Sequence, residues 1–209
     1  MRLKVVIEGI RGVAEREQKK SKGDHNMKNL IIVIFLILAA WMISPEIAWS
    51  KLQKIQVTSS SFENKGFISD VHACDILGLD KSPELSFSNA PDSTQSFALI
   101  MFDPDYKNFV HWVIFNIPKA LGGLNESLPK DAVLENNIKQ GTNGTNQVGY
   151  FGPCPPPKET HRYVFNVFAL DTILDLESST NERQLLKAMK GHIVGKGKLV
   201  GLYKNKTDF

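Results

Sequence analysis

Two carboxylates and two imidazoles stand at the ends of apolar runs, where the side chains of binding sites are often found. Asp103 and Asp105 follow one run, His111 begins the next, and His161 begins a third. These residue types fit a site for zinc, iron or manganese, or acid–base hydrolysis by a carboxylate–histidine pair. They also fit a pocket for a small anion, in which imidazole N–H groups donate to phosphate oxygens.

The spacing leaves these three chemistries open but supports the first two weakly. The two histidines are fifty residues apart in the chain, so no close histidine pair marks a metal site. Many hydrolases carry their serine or cysteine nucleophile in an elbow motif, and this sequence contains no such motif. In an anion pocket, the Tyr163 hydroxyl and backbone N–H groups of the loop at Gly152 would be further donors. The carboxylates would orient the histidines or contact an ammonium group of a zwitterionic ligand.

The segment from Tyr150 to Leu170 predicts a rigid loop that leads into a buried strand. Its first half is rich in proline, which fixes φ and removes backbone donors, so it can enter neither a helix nor the interior of a sheet. Its second half carries large apolar side chains on both alternating faces, as in a strand buried on both sides. We expect this junction to hold His161 still.

Two more apolar runs, Ser96–Phe102 and Val110–Ile117, predict neighbouring strands. Because only a short loop joins them, we expect an antiparallel pair with both carboxylates and His111 at one edge of the sheet. A helix is predicted over Thr180–Val194, capped by its first residue, and its apolar stripe indicates core packing rather than a cofactor site. With a last strand at Gly197–Tyr203, the pattern predicts a mostly β domain built from antiparallel sheets.

The N-terminal part of the chain has the features of a signal peptide. The uncharged run Leu30–Ile43 is shorter than the roughly 20 residues of a membrane span but suits a signal-peptide core. Small residues at positions 48 and 50 match the pattern that a signal peptidase recognises and predict cleavage after Ser50. The protein is therefore expected to be exported, either to the periplasm or out of the cell. A retained membrane anchor and a buried helix of the domain are the alternatives.

We therefore divide the chain into a leader, residues 1–50, and a single domain, residues 51–209. Residues 27–50 would be the signal peptide, and residues 1–26 either its long basic extension or sequence upstream of the true start. Of the 25 basic and 22 acidic residues, eight and five lie in the leader, so the domain carries 17 of each. A neutral domain lacks the basic face that nucleic-acid binding requires.

The domain contains two cysteines, Cys74 and Cys154. In an exported protein such a pair suggests one disulfide. Two buried free thiols are the alternative, since cysteine is often a small core residue. The sequence leaves both possibilities open.

Several ordered motifs resemble the phosphatidylethanolamine-binding protein family, in particular its bacterial branch, often labelled Raf-kinase-inhibitor-like. The motifs span roughly Phe62 to Tyr203: S-P-E-L-S-F from Ser82, D-P-D from Asp103, H-W-V-I-F-N-I-P from His111, G-P-C-P-P from Gly152, H-R-Y-V-F from His161, and G-H-I-V-G-K-G-K-L-V-G-L-Y from Gly191. The resemblance implies a large central sheet, a smaller sheet beside it, peripheral helices and an anion pocket at one sheet edge.

Carried over to this sequence, the pocket of the family implies one set of ligand-binding residues. They are Asp103, Asp105, His111, Gly152, Pro156, His161 and Tyr163. The family binds phosphate-bearing small molecules and phospholipid head groups without a cofactor, and some members inhibit kinases or proteases. The resemblance thus implies non-enzymatic binding. The residues themselves leave two alternatives, a metal-assisted or acid–base hydrolase that uses the two carboxylates and two histidines, and a protein-interaction module.

Three departures from the family pattern concern the pocket and its surroundings. Tyr106 and Lys107 follow D-P-D where the family often has Ala-Pro, and Phe87 stands where tryptophan is frequent. The proline loop has an extra proline and continues with Lys158, Glu159 and Thr160, where bacterial relatives often have glycine. The mouth of the pocket is therefore expected to differ.

Overall fold

The structure is a computed structural model that describes residues 52–208. Within this range it contains ten regular elements besides short 3₁₀ turns: β1 (Gln53–Lys54), β2 (Gln56–Thr58), β3 (Leu85–Ser88), β4 (Ser96–Asp103), β5 (Phe109–Pro118), β6 (Gly123–Leu124), β7 (Lys139–Gln140), β8 (Thr160–Leu170), α1 (Glu182–Ala188) and β9 (Ile193–Lys204). The predicted leader, with its cleavage after Ser50, lies outside the described residues. None of the helices between residues 52 and 208 has the length and apolar composition of a membrane span.

The strands form two sheets, as predicted. The larger has the order β1-β9-β8-β4-β5-β7 and the smaller the order β2-β3-β6. The predicted antiparallel pairing is found between the other neighbouring strands, whereas at one edge β1 runs parallel to β9 and makes the larger sheet mixed. Only Ile55 separates β1 from β2, so the chain passes from the larger sheet to the smaller sheet within one residue. Strands this short carry no alternation from which their partners could be predicted.

Strand β8 lies between two core layers, because both of its faces are buried as predicted. Tyr163 and Phe165 belong to the core that also contains Phe87 of the smaller sheet. Leu170, on the opposite face, packs in a second core with Leu185 of α1. Burial of one such side chain stabilises the fold by about 1.5–3 kcal/mol, so both layers hold β8 and the residues at its start in place.

The predicted helix over residues 180–194 is too long. In the structure Asn181 caps α1: its side chain accepts from the backbone N–H of Gln184 at 3.1 Å, and the Gln184 side chain accepts from the Asn181 N–H at 2.9 Å. This reciprocal capping box starts the helix one residue later than predicted. Ile193 instead begins β9 and pairs with Leu170, so strand pairing overrides the helical spacing of the sequence.

Strands β4 and β5 form the predicted antiparallel pair, in which Asp103 lies opposite Phe109. Strand β8 pairs with the other side of β4, where Phe102 lies opposite Val164. Antiparallel neighbours place the end of one strand beside the start of the next. The end of β4 and the starts of β5 and β8 therefore lie at one edge of the larger sheet.

Candidate functional site

A cavity of about 400 Å³ opens at this sheet edge. Its lining residues come from three strands and the loops beside them: Asp103, Tyr106, Phe109, His111, Thr145, Phe151, Cys154, Pro155, Pro156 and His161. Two larger hollows of about 800 and 890 Å³ lie elsewhere on the described part of the chain, but neither is lined by a histidine. The cavity brings together four of the seven predicted site residues, which are Asp103, His111, Pro156 and His161.

His161 is held by a carboxylate from the neighbouring strand. Its Nδ1 donates to Oδ2 of Asp103 at 2.7 Å. The other oxygen of Asp103 accepts from the backbone N–H groups of Asp105 and Tyr106 at 2.8 and 3.1 Å. Asp103 and His161 are both buried. Each oxygen of this buried carboxylate therefore has a partner, as buried polar groups require.

The second ring nitrogen of His161 also meets a carboxylate. Nε2 lies 3.0 Å from Oε2 of Glu159, an exposed side chain two residues earlier. An ionised carboxylate only accepts hydrogen bonds, so a ring between two carboxylates carries a proton on each nitrogen. Burial acts to lower the pKa of His161, but the hydrogen bonds and charges of Asp103 and Glu159 outweigh burial and raise it. The two contacts and the raised pKa of His161 therefore favour its imidazolium form.

His111 is held in the opposite state. Its Nδ1 donates to the carbonyl oxygen of Phe151 at 2.8 Å, and the two rings stack with centroids 5.5 Å apart. Burial lowers the pKa of His111 more than this hydrogen bond raises it. The neutral ring keeps its proton on Nδ1, so Nε2 can only accept. With its proton on Nδ1, His111 presents Nε2 as an acceptor, which suits an ammonium group; donation to an anion, as predicted from the sequence, requires a second proton on the ring.

Aromatic side chains form one wall of the cavity. The ring of Phe109 lies 6.2 Å from that of Tyr106 and 6.1 Å from that of Phe151, measured between centroids. It also meets the His111 ring edge-on at 5.0 Å. Aromatic faces attract alkylammonium cations. The wall therefore suits the cationic or apolar part of a ligand better than its anionic part.

Two predicted site residues, Asp105 and Gly152, make other contacts. Asp105 binds the Arg162 guanidinium with Nε–Oδ2 and Nη2–Oδ1 distances of 3.0 and 2.6 Å, and these hydrogen bonds hold the pKa of Asp105 below its usual range. The Gly152 N–H donates to Oδ1 of Asp80 at 2.7 Å, so it cannot donate to a ligand in this conformation. A Cβ at Gly152 would lie 2.3 Å from the carbonyl oxygen of His72, so loop packing requires glycine there.

Tyr163, the third predicted residue outside the lining, lies behind His111. Its ring meets the His111 ring edge-on at 5.1 Å. Among the described residues the buried Tyr163 hydroxyl has no partner with hydrogen-bond geometry, although the backbone N–H of Cys154 is near enough to oppose the rise of its pKa. Burial, with the charge of Asp103, raises the pKa of Tyr163 far above its usual value. The hydroxyl thus keeps its proton and remains a potential donor.

The proline loop is tied down on two sides. Cys74 and Cys154 form a disulfide, with Cα atoms 5.5 Å apart, so the two cysteines are not free thiols. The Cys74 N–H donates to the carbonyl oxygen of Pro153 at 3.0 Å. On the other side, the Asn205 side chain donates to the carbonyl oxygen of Pro155 at 2.8 Å. These contacts hold the loop against the cavity.

Comparison with protein families agrees with the fold. A family model described as phosphatidylethanolamine-binding protein matches residues 58–204. The chain belongs to the phosphatidylethanolamine-binding protein family. A UPF0098 protein of Methanothermobacter thermautotrophicus is 43% identical over 152 residues, which cover 72% of this chain and 99% of the relative. A UPF0098 protein of Aquifex aeolicus is 41% identical over 154 residues, covering 72% and 88%.

Solved structures of the family show the same architecture. A phosphatidylethanolamine-binding protein homologue from Chlamydia trachomatis is 35% identical, with a TM-score of 0.65 over 73% of this chain and 99% of that one. YbcL of E. coli, described as a member of the mammalian family, is 27% identical, with a TM-score of 0.67 over the same shares. The mostly β fold with a large and a small sheet is thus shared with these family members.

Several contacts of this family member were missing from the sequence prediction. They involve Asp80, Phe109, Thr145, Phe151 and Glu159. The two phenylalanines resemble core residues in sequence, and Asp80 and Thr145 lie in loops with no pattern. The place of Glu159 near His161 could have been predicted, because residues two apart at the start of a strand point to the same face. Between residues 52 and 208, no cluster of three histidine, cysteine or acidic side chains could hold a metal ion.

Proposed function

We propose that this chain binds a small phosphate-type anion, free or as a phospholipid head group, in the sheet-edge cavity without converting it. One observation supports this most directly: the Nε2–H of His161 already donates to an anionic oxygen, that of Glu159, at 3.0 Å. Charge-assisted hydrogen bonds of this kind are roughly twice as strong as neutral ones. A phosphate oxygen presents the same acceptor chemistry.

The rest of the cavity favours a zwitterionic ligand over a simple anion. Asp103 contributes a negative charge, and the neutral His111 offers an acceptor at Nε2. The wall of Tyr106, Phe109 and Phe151 can attract an alkylammonium group. A volume of about 400 Å³ suits a small molecule. An ethanolamine-type phosphate combines these features.

Calorimetric titration of the full-length chain with sulfate, inorganic phosphate and phosphoethanolamine tests the proposal. We expect one site per chain, and His161→Gln should weaken binding by at least about tenfold, the loss of a charged hydrogen bond. His192→Gln is the matched control, because His192 also pairs with an aspartate, Asp171, at 2.9 Å but does not line the cavity. Equal binding by wild type and His161→Gln would contradict the proposal. Binding of none of the three would favour the protein-interaction module.

The hydrolase alternative is tested in the same samples. We expect ³¹P NMR to show phosphoethanolamine unchanged after prolonged incubation with the chain. Release of phosphate that is lost in His161→Gln and kept in His192→Gln would replace binding with hydrolysis as the function of the cavity.

We also propose that the chain is exported. The signal-peptide pattern before Lys51 supports this, and so does the Cys74–Cys154 disulfide, because disulfides persist in oxidising compartments. Mass spectrometry of the mature protein from its native host should find Lys51 at the N-terminus. Recovery of the uncleaved chain from the membrane fraction would instead support a retained anchor.

A further inference from the structure

The contact between Glu159 and His161 has a consequence for ligand binding. We propose that Glu159 is an internal competitor, whose carboxylate occupies the donor that an anionic ligand needs and must leave before that ligand binds. This inference rests on the proposed anion-binding function and adds a residue that determines its affinity and specificity.

The competition follows from the number of protons on His161. The Nδ1 proton is directed to Asp103 at 2.7 Å, where both side chains are buried. The Nε2 proton is directed to Glu159 at 3.0 Å. Since one N–H makes one good hydrogen bond, a ligand oxygen and the Glu159 carboxylate cannot both be the partner of Nε2.

Other donors near the cavity cannot easily replace this proton. The Gly152 N–H is engaged by Asp80 at 2.7 Å. His111 uses its Nδ1 proton for the Phe151 carbonyl at 2.8 Å and presents a bare nitrogen. Among residues 52–208, no lysine or arginine lines the cavity. The Tyr106 and Tyr163 hydroxyls remain as donors but are neutral, so a charge-assisted hydrogen bond to the ligand depends on the donor that Glu159 holds.

Glu159 can release His161 by rotation of its side chain alone. Its backbone is fixed: its N–H donates to the carbonyl oxygen of Pro156 at 3.1 Å, and its own carbonyl accepts from Asn205 at 3.0 Å. The Glu159 side chain is 58% exposed. An exposed ion pair is weak, because water solvates the released charge. The competitor therefore lowers anion affinity without blocking the site.

Because the competitor is itself a carboxylate, a ligand must offer His161 more negative charge or more acceptor oxygens than a carboxylate does in order to displace it. A ligand with one carboxylate offers His161 no more than Glu159 already provides, and Glu159 is attached to the chain. A phosphate offers three acceptor oxygens and more negative charge. The cavity is therefore expected to discriminate against simple carboxylates through Glu159.

Sulfate titration of the full-length chain at about pH 6 tests the inference, because sulfate keeps the same charge across the range in which histidine titrates. Two variants separate the contact from the charge. Glu159→Gln removes the charge, whereas Glu159→Asp keeps it but shortens the reach by one methylene. Glu177→Gln is the control, since Glu177 is exposed, does not line the cavity and undergoes the same change of charge.

We expect Glu159→Gln and Glu159→Asp each to bind sulfate roughly three- to tenfold tighter than wild type, the range for loss of an exposed to partly buried ion pair. Glu177→Gln should match wild type. The inference is wrong if Glu159→Gln binds no tighter than wild type. It is also wrong if Glu159→Gln tightens binding while Glu159→Asp matches wild type. That result would show that the negative charge at position 159 repels sulfate, without any need to displace its carboxylate from His161.

The outcomes also distinguish this inference from the proposed function. If His161→Gln loses sulfate binding while Glu159→Gln equals wild type, the anion site stands and the competitor does not. If neither wild type nor Glu159→Gln binds sulfate, both proposals fail. Glu159 is exposed, and its backbone hydrogen bonds do not involve its carboxylate, so these variants are expected to fold.

Discussion

The side chains of Asp103 and His161, 58 positions apart in the chain, form a buried hydrogen bond of 2.7 Å. It joins the end of β4 to the start of β8 at the edge of the larger sheet. The same contact directs one proton of His161 into the protein and leaves the other for an acceptor on the outer side. One pair therefore contributes to both the stability of this edge and the charge of the cavity.

Asp103→Asn should convert His161 from a cation to a neutral ring. The amide keeps an oxygen for the backbone N–H groups of Asp105 and Tyr106, but its NH₂ now faces Nδ1 of His161. We expect a lower pKa of His161, weaker sulfate binding at neutral pH, and a loss of about 1–3 kcal/mol in the free energy of unfolding. NMR titration of the His161 ring and chemical denaturation measure these effects.

Asp105→Asn is the control for that variant. The Asp105 carboxylate pairs with the exposed Arg162 and does not line the cavity. The pKa of His161 and the sulfate affinity should therefore change less than in Asp103→Asn. Equal effects of the two substitutions would show that distant charge, rather than the 2.7 Å contact, sets the state of His161.

The stability contributed by His161 should decrease at alkaline pH. The folded protein raises the pKa of His161 above the ordinary value of 6.5, so the folded state holds this proton more tightly than the unfolded state. The contribution is fully present below the unfolded pKa and is lost as pH rises through the folded pKa. Between about pH 5 and pH 9, the difference in unfolding free energy between wild type and His161→Gln should therefore fall.

The contribution of His111 to stability has the opposite pH dependence. Because wild type and His161→Gln both contain His111, this contribution cancels in the difference between their unfolding free energies. Burial lowers the pKa of His111, so its effect is a loss of stability as pH falls below 6.5. A difference between wild type and His161→Gln that is flat or rises with pH would contradict the assignment of His161 as the cation.

Removal of the disulfide should destabilise the protein strongly. Cys74 and Cys154 are 80 positions apart, and a cross-link of that length stabilises by about 4.5 kcal/mol in the chain-entropy model. The double substitution to serine should lose roughly this much in urea unfolding, and sulfate binding should weaken because Cys154 lines the cavity. A reductant should reproduce the loss in wild type and have no effect on the double variant. A wild type whose stability is insensitive to reductant would contradict the prediction.

Gly152→Ala should destabilise the loop beneath the cavity. An added Cβ would lie 2.3 Å from the His72 carbonyl oxygen and 2.5 Å from the Ala73 carbonyl carbon, and neither backbone atom can move freely. We expect a loss of about 2–3 kcal/mol and weaker sulfate binding, because the shift disturbs the hydrogen bond to Asp80. Chemical denaturation and calorimetry measure the two effects.

Gly191→Ala is the comparison for that substitution. Gly191 has a φ of 90°, and in the described part of the chain no atom lies within 4 Å of an added Cβ, so backbone strain opposes the change there. It should cost about 1–2 kcal/mol and leave sulfate binding unchanged. A Gly152→Ala variant no less stable than Gly191→Ala would show that the loop can shift at little cost.

The sequence predicted the parts of the fold that local pattern controls. The two apolar faces of β8 follow from alternation, and the β4–β5 pair follows from two apolar runs joined by a short loop. That pairing was enough to expect Asp103, Asp105 and His111 at one edge of the sheet, whereas the place of His161 beside them was implied by the family resemblance. The length of α1 was not predictable in the same way, because the pairing of Ile193 with Leu170 competes with helical spacing.

The sequence by itself thus determined the family, the mostly β architecture and the edge at which the cavity lies, because apolar periodicity and ordered motifs are properties of neighbouring residues. Only the tertiary structure decided the hydrogen-bond partners of the two histidines, of Asp105 and of Gly152. Each depends on a group brought from another element: Asp103 for His161, the Phe151 carbonyl for His111, Arg162 for Asp105 and Asp80 for Gly152. A hydrogen bond acts over about 3 Å, so its partner is known only once the chain has folded.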